Sequence, residues 1–169
     1  MINLGKLNNM SDTVFTETLG EIYEHSPWVA KKAAVYRPFS SVDELHKAMM
    51  EVVLNAPVED KLELIRAHPN LGDRIEMSDD SNKEQQGAGL QNLSQEEFHS
   101  FQSLNKEYMK KFGFPFIFAV KGKTKDDVYQ SLIRRIESTE TQEFSIALTE
   151  IDKIAGFRLR DKIIEEANV

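Results

Sequence analysis

Cysteine is absent from this 169-residue chain, which excludes disulfides, thiolate nucleophiles and cysteine-ligated metals. Histidine is sparse, with four residues at 25, 46, 68 and 99 and no two at helical spacing. That pattern argues against a multi-histidine metal centre and leaves only convergence in space. No apolar run approaches the roughly 20 residues a bilayer span requires, and Met1 to Lys6 lacks the apolar core of a secretory signal. Positive charge is in deficit, 21 Lys and Arg against 28 Asp and Glu, for a net charge of -7. Nucleic acid as the main partner would need a basic footprint, and the one basic cluster, Lys121-Gly122-Lys123-Thr124-Lys125, reads as a solvated turn. An acidic chain can still take an anionic substrate if a cation is held locally in the site. The final Ala167-Asn168-Val169 is not a peroxisomal address. These absences point to a soluble cytoplasmic protein with neither a membrane nor a nucleic-acid partner.

What remains is an ordinary globular composition, 40% hydrophobic and 29% charged. The length suits a single domain over 1–169 with a real core. Helix signals recur throughout. Ser11 can cap a helix bearing Val14, Phe15, Leu19, Ile22 and Tyr23 on one face. Pro27 fits the first turn of a second helix that ends before Pro38. Ser41-Val42-Asp43-Glu44 is a capping box for a third, and Pro57 opens a fourth running toward His68. Ser94-Gln95-Glu96-Glu97 starts a long helix to Phe112 with Gly113 as its stop. Further helices are expected from Lys125 to about Ser138 and from near Thr141 to about Glu166. Phe114 to Val120 alone reads as strand, and a lone strand has no ladder partner. The fold expected is therefore all-α, a bundle of about seven to nine helices with one extended apolar segment near 114–120.

The densest chemistry lies in Ala67-His68-Pro69-Asn70-Leu71-Gly72 and, after a polar loop, Ser81-Asn82-Lys83-Glu84-Gln85-Gln86-Gly87-Ala88-Gly89-Leu90. A residue before proline is pushed out of helical geometry, so the helix should end at His68 and release the imidazole from the helix surface. A helix C-terminus also favours a protonated ring. His68 is then either a proton-handling group or a capping histidine with no chemistry. Ser81 and Glu84 are either a second capping box or a hydroxyl and a carboxylate facing a ligand. Gln85 and Gln86 are either solvent-facing or part of the same array. Gly87 and Gly89 are costly early in a helix and would permit close approach of a ligand or another backbone.

In the last helix Phe144, Leu148, Ile151 and Ala155 form one stripe, which Arg158 continues while Arg160 lies opposite. A guanidinium on the core side needs a partner or a water-filled cavity. Glu84 is one candidate partner, which would make Arg158 structural; otherwise Arg158 serves a ligand. Phe114 to Val120 is most simply core. Its backbone groups nevertheless lack regular partners, and the amide edges of a heterocycle could pair them.

Taken together, His68-Pro69-Asn70-Leu71-Gly72, Ser81-x-x-Glu84-Gln85, Phe112-Gly113-Phe114-Pro115-Phe116 and the late Arg158 resemble the 2-oxo-4-hydroxy-4-carboxy-5-ureidoimidazoline (OHCU) decarboxylases of urate breakdown. The chain is most similar in character to the decarboxylase domain that some Bacillus-type bacteria carry fused ahead of a urate oxidase. The resemblance implies an all-α fold, often a homodimer, no metal or organic cofactor, and conversion of OHCU to (S)-allantoin and carbon dioxide. It implies fusion to, or association with, urate oxidase. It also implies catalytic roles for His68 as proton donor, Glu84 and Arg158. Substrate contacts are implied from Pro69, Ser81, Gln85 and the backbone of Phe116, Ile117, Phe118, Ala119 and Val120. Asn70 stands where many relatives carry aspartate. A non-catalytic helical scaffold in a urate-pathway assembly is the alternative from another class.

Overall fold

The computed structural model describes residues 1–71 and 93–165. Among them are eight α-helices, one 3-10 turn and two strands of two residues each, so the fold is mostly helical as the sequence implies. The chain divides into two compact units, one of residues 1–67 and 151–169, the other of residues 68–150.

In the first unit, helices begin where short polar side chains accept from the backbone. Asn3 caps α1 (Leu4–Asn9), Ser11 caps α2 (Asp12–Leu19) and Ser41 caps α4 (Val42–Leu54). Pro27 sits in the first turn of α3 (Pro27–Ala33), whose end tightens into a 3-10 turn over Ala34–Tyr36. Helix α5 (Val58–Ala67) follows Pro57. α2 packs on α3, and α3 on α4. Phe15, Leu19, Tyr23, Leu45, Met49, Leu64 and Ile65 are among this unit's buried residues. Residues 151–162 of the last helix, α8 (Glu140–Lys162), add Ile151, Ala155 and Leu159 to this unit's buried set. Gly156 is needed there: a Cβ would come within 2.6 Å of the His46 ring, which lies 2.8 Å from the Asp152 carbonyl.

Three features differ from expectation. α2 stops at Leu19, so Ile22 and Tyr23 lie beyond it, and Val14 on that helix is exposed. α1 escapes the sequence pattern because six residues are too few to show periodicity, and its start depends on one Asn3 side chain. The last helix stops at Lys162 rather than near Glu166, because Ile163 and Ile164 leave it to pair in parallel with Ile2 and Asn3. This two-stranded ladder joins distant parts of the chain (β1, Ile2–Asn3; β2, Ile163–Ile164) and leaves no local signal.

The second unit is built on α6 (Gln95–Phe112), α7 (Lys125–Ile136) and residues 140–150 of α8. Reciprocal capping boxes open α6 (Ser94 with Glu97) and α7 (Thr124 with Asp127). Gly113 ends α6 at φ 75°, a left-handed turn that glycine adopts without a Cβ penalty. It delivers the chain into residues 114–120, which are neither helix nor strand. Every residue of that segment is buried except the half-buried Phe118.

In the first unit, Tyr23 donates to the Asp152 carboxylate at 2.7 Å. Burial pushes the Asp152 carboxyl up from 3.8 to about 6, against the opposing pull of the Tyr23 hydrogen bond. Between about pH 4 and pH 6 the folded chain thus holds a proton that the unfolded chain has lost, so this contribution to stability falls as pH rises through that window. Asp152→Asn keeps a partner for Tyr23 and does not titrate. It is expected to exceed the unmodified chain in stability at pH 7 by on the order of 1 kcal/mol, the gap closing by pH 4. Urea unfolding at both pH values measures this, and a gap independent of pH would refute it.

Candidate active site

His68 stands immediately after the last residue of α5 and before Pro69, where the proline rule ends the helix. The ring is buried, at 5% exposure, which favours neither a solvated cap nor a surface role. Asn70 is buried as well, its amide donating to the Met109 sulfur at 2.9 Å, and Pro69 is half-buried. These residues belong to the same unit as the 114–120 segment.

That segment is shaped from its side chains inward. The rings of Phe116 and Phe118 stack with centroids 6.1 Å apart, as alternate residues of an extended chain do. Tyr108 meets both Phe114 and Phe116 edge-on. The Arg135 guanidinium lies over the Phe116 ring, 4.5 Å from its centroid. The backbone is then fixed at three points. Arg135 Nη1 donates to the Ile117 carbonyl at 2.6 Å, Ala119 N–H donates to Glu150 Oε1 at 2.9 Å, and the Lys123 amide donates to the Val120 carbonyl at 2.9 Å. Extended backbone in a helical unit thus finds side-chain partners where a sheet would supply strands.

Arg135 is itself held. Its Nε donates to Glu143 Oε1 at 2.8 Å, and Tyr108 donates to the same oxygen at 2.5 Å. Glu143 is fully buried and Arg135 nearly so. Burial raises the Tyr108 hydroxyl above its ordinary range, partly opposed by the nearby Arg135 charge, so the hydroxyl remains a donor.

Arg158 lies in the other unit. Its Nη2 donates to Glu24 Oε1 at 2.8 Å and its Nη1 reaches the Ile22 carbonyl at 3.4 Å. It also lines an open cleft of about 590 Å³ with Glu21, Ile22 and Asp161. Arg158 is half-buried and Arg160 exposed, in line with their opposite faces, and among the described residues Arg158 forms an ion pair with Glu24. Ser81, Glu84 and Gln85 lie outside the described residues. Among the described residues, one group could approach a metal ion, Glu21, Glu24 and His25, with ligand atoms within 4.8 Å of one another. It is largely exposed, and Glu24 is already engaged by Arg158.

The charged residues behind the segment were not singled out from sequence. The buried line of α8 runs through Glu143, Ala147, Glu150, Ile151, Ala155 and Leu159, while Phe144 and Leu148 are half-buried. The same signal that marks Arg158, a charge in step with an apolar stripe, marks Glu143 and Glu150. It also marks Arg135, which follows Val128 and Leu132 on α7.

Comparison with known proteins gives one answer at each level. Residues 8–160 match the family model described as OHCU decarboxylase. The chain is 51% identical over 166 residues to the uric acid degradation bifunctional protein PucL of Bacillus subtilis, covering 98% of this chain and 34% of that one. It is 46% identical over 165 residues to the 2-oxo-4-hydroxy-4-carboxy-5-ureidoimidazoline decarboxylase of Haloferax volcanii, covering 98% of each. Among solved structures, (S)-allantoin synthase superposes with a TM-score of 0.81 at 33% identity, over 97% of this chain and 54% of that one. An OHCU decarboxylase crystallised in the presence of (S)-allantoin gives 0.69 at 26% identity, over 90% and 97%. The chain spans about a third of the length of its Bacillus subtilis relative and nearly all of its Haloferax volcanii relative. By matched length, identity and fold, it belongs to the OHCU decarboxylase family.

Proposed function

We propose that this chain decarboxylates OHCU to (S)-allantoin, without a cofactor, in urate degradation. The observation that carries the reading is the buried His68 at the end of α5, in a unit that also holds extended backbone on a side-chain frame. The reaction suits such a site. Breaking the bond to the carboxylate leaves an electron pair on a ring carbon beside a C=N bond, which delocalises it. The substrate thereby supplies the electron sink that pyridoxal provides in other decarboxylases. The protein's task is to orient the leaving carboxylate, stabilise the developing charge and return a proton to one face of the ring.

In this reading His68 delivers the proton and Pro69 lines the site. Ser81 and Gln85 bind substrate, and Glu84 positions its hydroxyl. The backbone of residues 116–120 pairs with the hydantoin-like edges, and Arg158 holds an anionic or carbonyl group. A site on one side of the ring yields a single enantiomer, whereas spontaneous decay gives both. The same reading makes the chain a cytoplasmic homodimer acting beside, or fused to, a urate oxidase.

OHCU generated in situ from urate tests this. The unmodified chain is expected to consume it faster than spontaneous decay and to give (S)-allantoin with full circular dichroism; racemic product at the spontaneous rate would contradict the reading. His68→Ala is expected to keep its helical signal while losing on the order of 10²–10⁴-fold in rate. A folded His68→Ala chain that makes (S)-allantoin at the normal rate would remove His68 from the chemistry. Arg158→Met is expected to raise KM by about tenfold or more through loss of a charge-assisted hydrogen bond. An unchanged KM would remove Arg158 from substrate binding.

A further inference from the structure

A planar amide-rich ligand can be read by extended backbone only if one edge of that backbone is free and held still. In an extended chain, the N–H and C=O of one residue point to one edge, and those of its neighbours point to the other. The Ile117 carbonyl and the Ala119 N–H therefore share an edge. Both are occupied, the first by Arg135 and the second by Glu150. Phe116, Phe118 and Val120 share the opposite edge. The Val120 carbonyl on it already accepts from the Lys123 amide, while among the described residues no hydrogen bond reaches the N–H and C=O of Phe116 and Phe118 or the N–H of Val120.

We infer that Glu150 is a positioning residue: with Arg135 it takes the place of a neighbouring strand along one edge of residues 116–120, so that the Phe116, Phe118 and Val120 edge is presented to the substrate. The inference rests on the OHCU reading for the identity of that substrate. The two side chains complement the edge chemically, because the guanidinium only donates and meets a carbonyl, while the carboxylate accepts from an N–H. Both come from helices, from α7 and from residues 140–150 of α8, which are stiffer supports than a loop. Glu150 is more than nine-tenths buried, so water is a poor substitute for its acceptor oxygen. Arg135 is less suited to a test, since its removal would also strand the buried Glu143.

The function assigned to Glu150 needs an acceptor atom and not a charge. Glu150→Gln keeps an oxygen at the same reach, whereas Glu150→Leu removes it in a good helix former. With OHCU generated from urate and the unmodified chain run alongside, Glu150→Leu is expected to fold with unchanged helical dichroism. Its KM should rise by about tenfold and kcat change much less, as for lost binding shared by ground and transition states. Glu150→Gln should remain within about twofold of the unmodified chain in both. A folded Glu150→Leu chain with unaltered KM would overturn the inference, as would equal damage from Gln and Leu, which would point to the charge. If Glu150→Leu loses its helical signal, Glu150→Ala takes its place on the same criteria. Loss of folding in both would make Glu150 a residue of the fold and also overturn it. An unmodified chain that does not accelerate OHCU decay is a different result: it removes the substrate and leaves the framing of the segment in place.

Discussion

The buried Arg135–Glu143 pair is the constraint on which the second unit turns. An ion pair with both partners withdrawn from water rarely repays its desolvation by Coulomb attraction alone. Here the cost is shared by further bonds: Tyr108 donates to the carboxylate, and the guanidinium also meets the Ile117 carbonyl and the face of Phe116. Each donor is spent on an acceptor that would otherwise be a buried orphan. The pair does more than tolerate burial, since it supplies the only fixed point a carbonyl of residue 117 finds in a helical surrounding among the described residues.

From that constraint the character of residues 114–120 follows. Gly113 turns the chain out of α6, Pro115 keeps Phe114 out of helical geometry, and the stacked rings of Phe116 and Phe118 record the extended course. A backbone without regular structure inside a core must be paired group by group. Arg135 and Glu150 pair one edge, and on the proposed reading the substrate is bound by what they leave. The first unit also pairs withdrawn polar groups, Tyr23 with Asp152 and the half-buried Arg158 with Glu24.

Much of this was legible in the sequence because it is local. The Ser41 cap, the capping box at Ser94, the glycine stop at Gly113 and the end of α5 ahead of Pro69 each depend on a few neighbouring residues. The expected reciprocal bond at Ser41 does not form, because the Glu44 carboxylate accepts from Ser40 instead. The extended segment was legible too, as the one apolar run without helical character. What stayed hidden is non-local. The Ile2–Ile163 pairing has no signature in either stretch, and the Glu24 partner of Arg158 lies 134 residues away. Arg135, Glu143 and Glu150 resemble ordinary helix-surface charges until their stripes are drawn through them rather than around them. His68 was the reverse case, a residue whose chemistry could be suspected from one proline and whose burial gives that suspicion weight.

The central claim is that one edge of residues 116–120 is framed by side chains and the other is kept for a ligand. Titration of the unmodified chain with (S)-allantoin, followed at the backbone amides by nuclear magnetic resonance, addresses it directly. The expected result is that the Phe118 and Val120 amides shift most, with Ala119, whose N–H is already given to Glu150, moving less. Saturating (S)-allantoin that leaves residues 116–120 unmoved, or that moves Ala119 most, would contradict it.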